Sequence, residues 1–268
     1  MSRSVLRRAG AKLSTVRPFP QLRVVRTYRA SARKQPLTAL RYLVSGRETS
    51  NFTYEIANRD ELAAVVAGVL DAPPEQIRAF IAEADEDAEL RRRLHDRALF
   101  GRRLGWYAAL RWRKPGLAVE TGTADGLGTA LLARAIERNR EDGAPGRLLS
   151  FDVVPSAGHL LDDHLRQFAT VVVGDAVQAL PAAVAGERIG YFIHDSLHTY
   201  EHERAELDVV TAHGDDELVL ISDNAHATTA LADVASEHGA GYAAFWERPV
   251  RHLYPGAALG IAVVRMTP

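Results

Sequence analysis

From residue 116 to the end, short apolar runs alternate with stretches of helical period. The runs are 117–119, 148–151, 170–173, 189–193 and 218–221, and the helical stretches are 127–139, 158–167, 176–185, 200–212 and 226–238. Five strand–helix units in succession bury their apolar faces only as a parallel sheet with helices on both sides. Two further runs, 242–247 and 258–265, have no helix between them. They read as a hairpin, which puts an antiparallel strand into the sheet. The expected fold is α/β and doubly wound over 114–268.

Residues 49–113 read as helices. Asp60 precedes an apolar stripe at 62, 65, 66, 69 and 70, and Pro73-Pro74 ends it. A second stripe runs through Ile77, Phe80 and Ile81, and a charged helix leads to Trp106-Tyr107. This segment is expected to be a helical cap. Residues 1–48 form a separate basic arm, with 12 Arg or Lys against Glu48 alone, whereas the rest of the chain has an excess of acids. Pro18, Pro20 and Pro36 interrupt any long helix there. The arm lies on the acidic body of its own fold or of a partner subunit, or meets an anionic lipid or glycan surface. An Arg- and Ser-rich start also fits a transit peptide. Val5-Leu6 followed by Arg7-Arg8 gives no apolar core for a secretory signal, and no run of 18 apolar residues exists, so the expected location is cytoplasmic. The absence of Cys excludes a disulfide framework, thiolate metal sites and a Cys nucleophile.

The first strand ends in Glu120-Thr121-Gly122-Thr123-Ala124-Asp125-Gly126-Leu127-Gly128. Glycines allow a sharp turn and close backbone approach, and the next helix offers its amino terminus. The spacing is not a dinucleotide fingerprint, since counting from Gly126 the sixth position is Leu131. No G-x-x-x-x-G-K-[ST] loop occurs either. The second strand ends in Asp152, able to accept from two ribose hydroxyls, and the third in Gly174-Asp175-Ala176, able to meet an adenine amino group.

These residues resemble the class I S-adenosylmethionine-dependent methyltransferases, in the pattern Glu120-x-Gly122-x-x-x-Gly126, Asp152 and Gly174-Asp175. The resemblance covers about 115–268. It implies a seven-stranded, mostly parallel Rossmann-like sheet. It also implies S-adenosylmethionine as cofactor, held by Glu120, Thr121, Gly122, Thr123 and Gly126 at the methionine portion, Asp152 at the ribose, and Gly174, Asp175 and Ala176 at the adenine, with Asp195 beside them.

The fourth strand ends in His194-Asp195-Ser196-Leu197-His198 and the fifth in Ser222-Asp223-Asn224-Ala225-His226. Asp195, Asp223 and Asn224 offer oxygens at neighbouring strand ends, a set suited to Mg²⁺. The set resembles the metal site of catechol-type O-methyltransferases. The Asp-x-x-His-x-Tyr-Glu run, with His252-Leu253-Tyr254-Pro255-Gly256, is similar to a bacterial branch linked to sugars, glycans and macrolide or other secondary metabolites. That branch commonly has Asp-Gly-Asp-His where this chain has Asp195-Ser196-Leu197-His198. The alternative for the two aspartates is helix capping.

His198, three residues after Asp195, stands where the catechol type carries its proton-accepting Lys, and imidazole is a competent acceptor near neutrality. His198 and Asp195 are therefore the expected catalytic pair, and His226, His252 and Tyr254 the candidate substrate contacts. The expected activity is Mg-assisted O-methylation of a hydroxyl on a sugar, glycan or secondary metabolite. A catechol or phenol acceptor is the alternative, as is a non-catalytic cofactor-binding protein. No nucleic-acid partner is expected: Asp195-Ser196-Leu197-His198 lacks the Asn/Asp-Pro-Pro-aromatic motif of amino-methylating DNA enzymes. The arm and cap suggest a homo-oligomer.

Overall fold

The structure is a computed structural model and describes residues 25–45, 54–94 and 98–266. Seven strands form one sheet: β1 Leu117–Thr121, β2 Arg147–Asp152, β3 Ala169–Val173, β4 Ile189–His194, β5 Gly214–Asp223, β6 Tyr242–Trp246 and β7 Ala258–Arg265. Their order across the sheet is β3-β2-β1-β4-β5-β7-β6. β7 runs antiparallel to both β5 and β6, as the paired terminal runs require, and the other neighbours are parallel. The order turns back between β1 and β4, so a crevice opens beyond their carboxyl ends, where ligands of such sheets sit.

The sheet is covered on both faces, which is why β1 and β4 are buried at every position. Alternate residues feed different layers. Ala118, Tyr191, Ile193, Val219 and Ile221 pack against helices from the amino-terminal half, α3 Arg59–Leu70, α4 Pro74–Glu86 and α6 Arg103–Arg113, and against α7 Leu127–Glu141. Leu117, Val119, Phe192, Leu218 and Leu220 pack against α8 Ala176–Val184, α9 Tyr200–Ala212 and α10 Ala230–Glu237. A short α5, Ala88–Leu94, lies between α4 and α6. The helical segment thus shares its core with the sheet. Trp106 and Tyr107 of α6 are fully buried, and the Tyr191 hydroxyl donates to the Trp106 carbonyl at 2.7 Å.

Three departures from the sequence reading have local causes. Residues 158–167 are not an α-helix but turns followed by one 3-10 turn, Leu165–Gln167. Gly158 has φ +72, and Asp162 Oδ1 accepts from the Leu165 amide at 2.9 Å, so side-chain capping replaces a helical start. The helix expected at 226–238 begins at Ala230, because Asn224 turns the chain at φ +56 and Thr228 Oγ1 accepts from the Ala230 amide at 3.2 Å. β5 starts at Gly214, before the apolar run, and its Glu217–Asp223 stretch pairs along β7.

Of the basic arm, α1 Arg29–Lys34 and α2 Pro36–Ser45 are described. Pro36 opens α2 at its first position, where its missing N–H costs nothing. Val25, Tyr28, Ala32 and Ala39 pack on Leu253, so this part of the arm lies on the 252–254 loop. The basic positions 3–23 and 47, and with them the expected contact with an anionic surface, lie outside the described residues. Among the described residues no helix is long and apolar enough to cross a membrane.

Candidate active site

The β1 end sets the geometry. Thr121 O accepts from the Asp195 amide at 2.9 Å, joining the turns after β1 and β4. Gly122 has φ +90, and a Cβ on it would fall 2.0 Å from the Asp195 carbonyl oxygen, so only glycine fits there. Gly126, at φ +99, opens α7. On one side of this junction lies a cavity of about 460 Å³, lined by Gly122, Phe151, Asp152, Gly174, Asp175 and Leu197 among others. On the other lies one of about 510 Å³, lined by Tyr54, Arg102, Asp195, His198, Asp223 and Tyr254 among others. Gly122, Ala124 and Asp195 line both.

In the first cavity, Asp152 accepts from the Ala124 amide through Oδ2 and from Val154 through Oδ1, both at 2.8 Å. Its carboxylate thereby braces the glycine turn and keeps free lone pairs for a ligand. Asp175 caps α8 through the Val177 amide at 2.9 Å and is exposed at the cavity wall with Gly174 and Ala176. Val153 and Leu197, 70% and 59% exposed, give the cavity an apolar rim. A turn that excludes any Cβ, two carboxylates at successive strand ends and an apolar rim fit an adenosyl group.

Thr121, Thr123 and Glu120 support the turn from below. Thr121 Oγ1 donates to Glu206 at 2.7 Å, and Thr123 Oγ1 lies 2.6 Å from Ser150 Oγ. Glu120 is buried, and its Oε2 accepts from Thr129 and Ser150, each at 2.6 Å. Burial pushes its carboxyl up to about 7, against those two hydroxyl donors.

The second cavity brings Asp195, His198, Asp223 and Asn224 together. Ligand atoms of Asp195, His198 and Asp223 lie within 4.8 Å of one another. His198 Nε2 accepts from the Asn224 amide nitrogen at 2.8 Å and lies 3.7 Å from Asp195 Oδ1. Burial, and then His194, hold its pKa below the ordinary value, so His198 is neutral at pH 7.

Two arginines at the entry to α6 complete the pocket. Arg102 donates from Nε to Asp223 Oδ1 at 2.6 Å, from Nη2 to Asp223 Oδ2, and from Nη2 to Asn224 Oδ1 at 3.3 Å. Its Nη1 donates to Glu247 Oε1 and to the Tyr54 hydroxyl at 2.7 Å, with the Tyr254 hydroxyl at 3.4 Å. Arg103 Nη2 lies 3.7 Å from Asp195 Oδ2. Burial alone would raise the Asp223 carboxyl, but Arg102 overrides it and holds it below the usual range. Asp195, partly buried beside Asp223, is pushed well above that range.

This arrangement decides how the expected Mg²⁺ set fits. Both Asp223 oxygens and the Asn224 oxygen already accept from one guanidinium, and Asp195 faces a second. Like charges about 4 Å apart near a protein surface repel by about 4 kcal/mol per unit pair, and by twice that for a dication. Two guanidiniums and a dication would exceed the charge of Asp195, Asp223 and Glu247. The residues present do not fit a divalent ion, although the oxygens themselves are of the right type.

The remaining expected contacts divide. Tyr254 lines the second cavity. His226 lines neither cavity: it is exposed, its ring centroid is 4.9 Å from that of Trp246, and Nδ1 accepts from the Ala258 amide. His252 is buried behind Tyr54, with ring centroids 5.2 Å apart, and also lines neither. Sequence reasoning missed Arg102, Arg103, Tyr54 and Glu247. A visible signal was the charged pair Arg102-Arg103 inside the apolar stretch 98–110, since buried charge needs partners.

Known proteins place this geometry in context. No curated protein matches the chain. The crystal structure of cofactor-bound Rv0187 from MTB is similar at 19% identity and TM-score 0.52, over 80% of this chain and all of that one. An O-methyltransferase from Bacillus cereus in complex with SAH is similar at 14% identity and TM-score 0.49, over 76% of this chain and 97% of that one. A putative O-methyltransferase from Klebsiella pneumoniae is similar at 15% identity and TM-score 0.49, over 70% and 90% of the two chains. Residues 119–225, from β1 to the turn after β5, match the family described as Methyltransferase domain. The chain is therefore similar to methyltransferase domains over β1 to β5, and its seven-stranded fold is similar to that of Rv0187.

Proposed function

We propose that this protein is an S-adenosylmethionine-dependent O-methyltransferase acting on a hydroxyl of a small acceptor, a sugar, glycan or secondary metabolite. The observation that carries the reading is the meeting of two cavities at Gly122, Ala124 and Asp195. The first would hold S-adenosylmethionine, with Asp152 on the ribose hydroxyls, Asp175 and Ala176 at the adenine edge, and Gly122 letting the backbone approach the methionine portion. Bound there, the cofactor supplies an electrophilic methyl group on a sulfonium.

The acceptor enters the second cavity. Tyr28 and Tyr254, both partly exposed, offer rings against which a flat or cyclic acceptor can rest. His198, neutral at working pH, takes the hydroxyl proton at Nε2 once the acceptor hydroxyl has displaced the Asn224 amide from that nitrogen. Asp195, between the cavities, orients His198 and the acceptor. Alignment of the two reactants contributes roughly 7–11 kcal/mol in well-ordered sites, so most of the work is positioning. No step is assigned to a metal.

Incubating the protein with S-adenosylmethionine labelled in the methyl group and a panel of sugar, glycan and phenolic acceptors tests the reading. Label transferred to a hydroxyl supports it, and the productive acceptors separate sugars from phenols. Cofactor binding without transfer to any acceptor favours the non-catalytic alternative.

A further inference from the structure

We propose that Arg102 takes the place of the divalent ion in this pocket, so that methyl transfer runs without a metal and Arg102 is its positioning residue. The inference rests on reading the pocket as a methyl-acceptor site. Its basis is a complete count of one guanidinium. Arg102 has five N–H hydrogens. Nε–H goes to Asp223 Oδ1, the two on Nη2 to Asp223 Oδ2 and Asn224 Oδ1, and the two on Nη1 to Glu247 Oε1 and the Tyr54 hydroxyl, with the Tyr254 hydroxyl at 3.4 Å a sixth acceptor sharing Nη1. None is left for a substrate, so Arg102 is a cross-link within the site and not an acceptor clamp.

The cross-link is fixed from outside the oxygen set it holds. Glu247 is fully buried beyond β6 and accepts from Arg102 twice, through the side chain and through the backbone amide at 3.1 Å. Glu247 is itself held by the Tyr54 hydroxyl at 2.7 Å and the Ala257 amide at 3.1 Å. Arg102 is therefore oriented whether or not Asp223 is its partner. An ion that displaced it from Asp223 would leave it facing that ion.

The count also fixes the base. Because Asn224 Oδ1 accepts from Arg102, its amide nitrogen is the group turned to His198. Nε2 of His198 is then the acceptor nitrogen, and an acceptor hydroxyl must displace the Asn224 amide hydrogen to reach its one lone pair. As the C–O bond forms and the C–S bond of the donor breaks, with its electron pair staying on sulfur, the hydroxyl proton passes to that nitrogen. A metal would lower the hydroxyl pKa beforehand. Without one, the proton leaves to a side-chain base during transfer, and that part falls to His198.

Titrating the full chain with Mn²⁺ and following the free-ion signal by electron paramagnetic resonance tests this. The wild type is expected to bind no stoichiometric Mn²⁺ up to millimolar concentration. Arg102→Ala, with folding checked by circular dichroism, is expected to gain one site per chain, and Arg102→Lys none. One Mn²⁺ bound by the wild type and lost in Asp223→Asn would overturn the proposal, as would a folded Arg102→Ala chain that binds none. If Arg102→Ala does not fold, the wild-type titration decides alone. Calorimetry with S-adenosylmethionine on the same samples reads the function separately: absent cofactor binding would remove the methyltransferase reading and leave the Mn²⁺ result standing.

Discussion

Arg102 and Asp223 lie side by side: Nε donates to Oδ1 at 2.6 Å, Nη2 donates to Oδ2, and the two side chains are 4% and 1% exposed. The pair ties the first residue before α6 to the last residue of β5, and so the helical half of the chain to the strand end where the chemistry is expected. Breaking a buried pair by removing one partner costs about 3–5 kcal/mol, because the other charge stays buried.

Asp223→Ala is therefore expected to lower Tm by roughly 6–20 °C, taking about 2–4 °C per kcal/mol for a domain of this size. The exposed pair of Arg204 with Glu237 at 2.6 Å is the control. Glu237→Ala there is expected to cost less than about 1 kcal/mol. Differential scanning fluorimetry of the two variants compares them directly, and equal shifts would contradict the role given to Arg102–Asp223.

His198→Ala is expected to reduce turnover by roughly 10²–10⁴-fold while leaving the affinity for S-adenosylmethionine unchanged. The pH profile carries the same assignment. Burial and His194 lower the His198 pKa, so the acid limb, where protonated His198 cannot accept, is expected below pH 6.5, with a plateau at neutral pH. An acid limb that persists in His198→Ala would give it to another group.

Gly122→Ala sets a methyl group 2.0 Å from the Asp195 carbonyl at a backbone angle of φ +90. The turns after β1 and β4 must separate to admit it. A loss of cofactor affinity of at least about tenfold, or about 1.4 kcal/mol, is expected by calorimetry.

Glu120 gives a stability prediction of definite sign. Its carboxyl is raised to about 7 in the folded protein, against an ordinary value of 4.5. The folded state therefore holds a proton that the unfolded chain releases earlier. The stability it contributes is whole below pH 4.5 and is lost as pH rises to about 7, by at most about 1.4 kcal/mol per pH unit. Glu120→Gln, which cannot titrate, is expected to flatten the fall of Tm across that interval.

What the sequence disclosed follows from how local each signal is. Short apolar runs and helical stripes are local, so β1 to β7 were legible in order, with the antiparallel β7 implied by the missing helix before it. Gly122, Asp152 and Asp175 were legible because strand ends recur at fixed points of the pattern. Residues 158–167 were misread because Gly158 and the Asp162 cap outweigh an apolar spacing that a helix would share. The partners of Asp223 were hidden for another reason. Arg102, Tyr54 and Glu247 come from three places in the chain that only the packing of the helices on the sheet brings together. The site therefore looked like an open set of oxygens when read along the strands, and a closed ion pair when the helices were added.

The cleft at Gly122 and Asp152 is expected to hold an adenosyl cofactor next to the His198 pocket. Isothermal titration of the purified protein with S-adenosylmethionine, repeated on Asp152→Ala, tests it most directly. One molecule bound per chain by the wild type, with affinity at least about tenfold weaker in Asp152→Ala, is the predicted result. No binding by the folded wild type, or binding indifferent to Asp152, would contradict it.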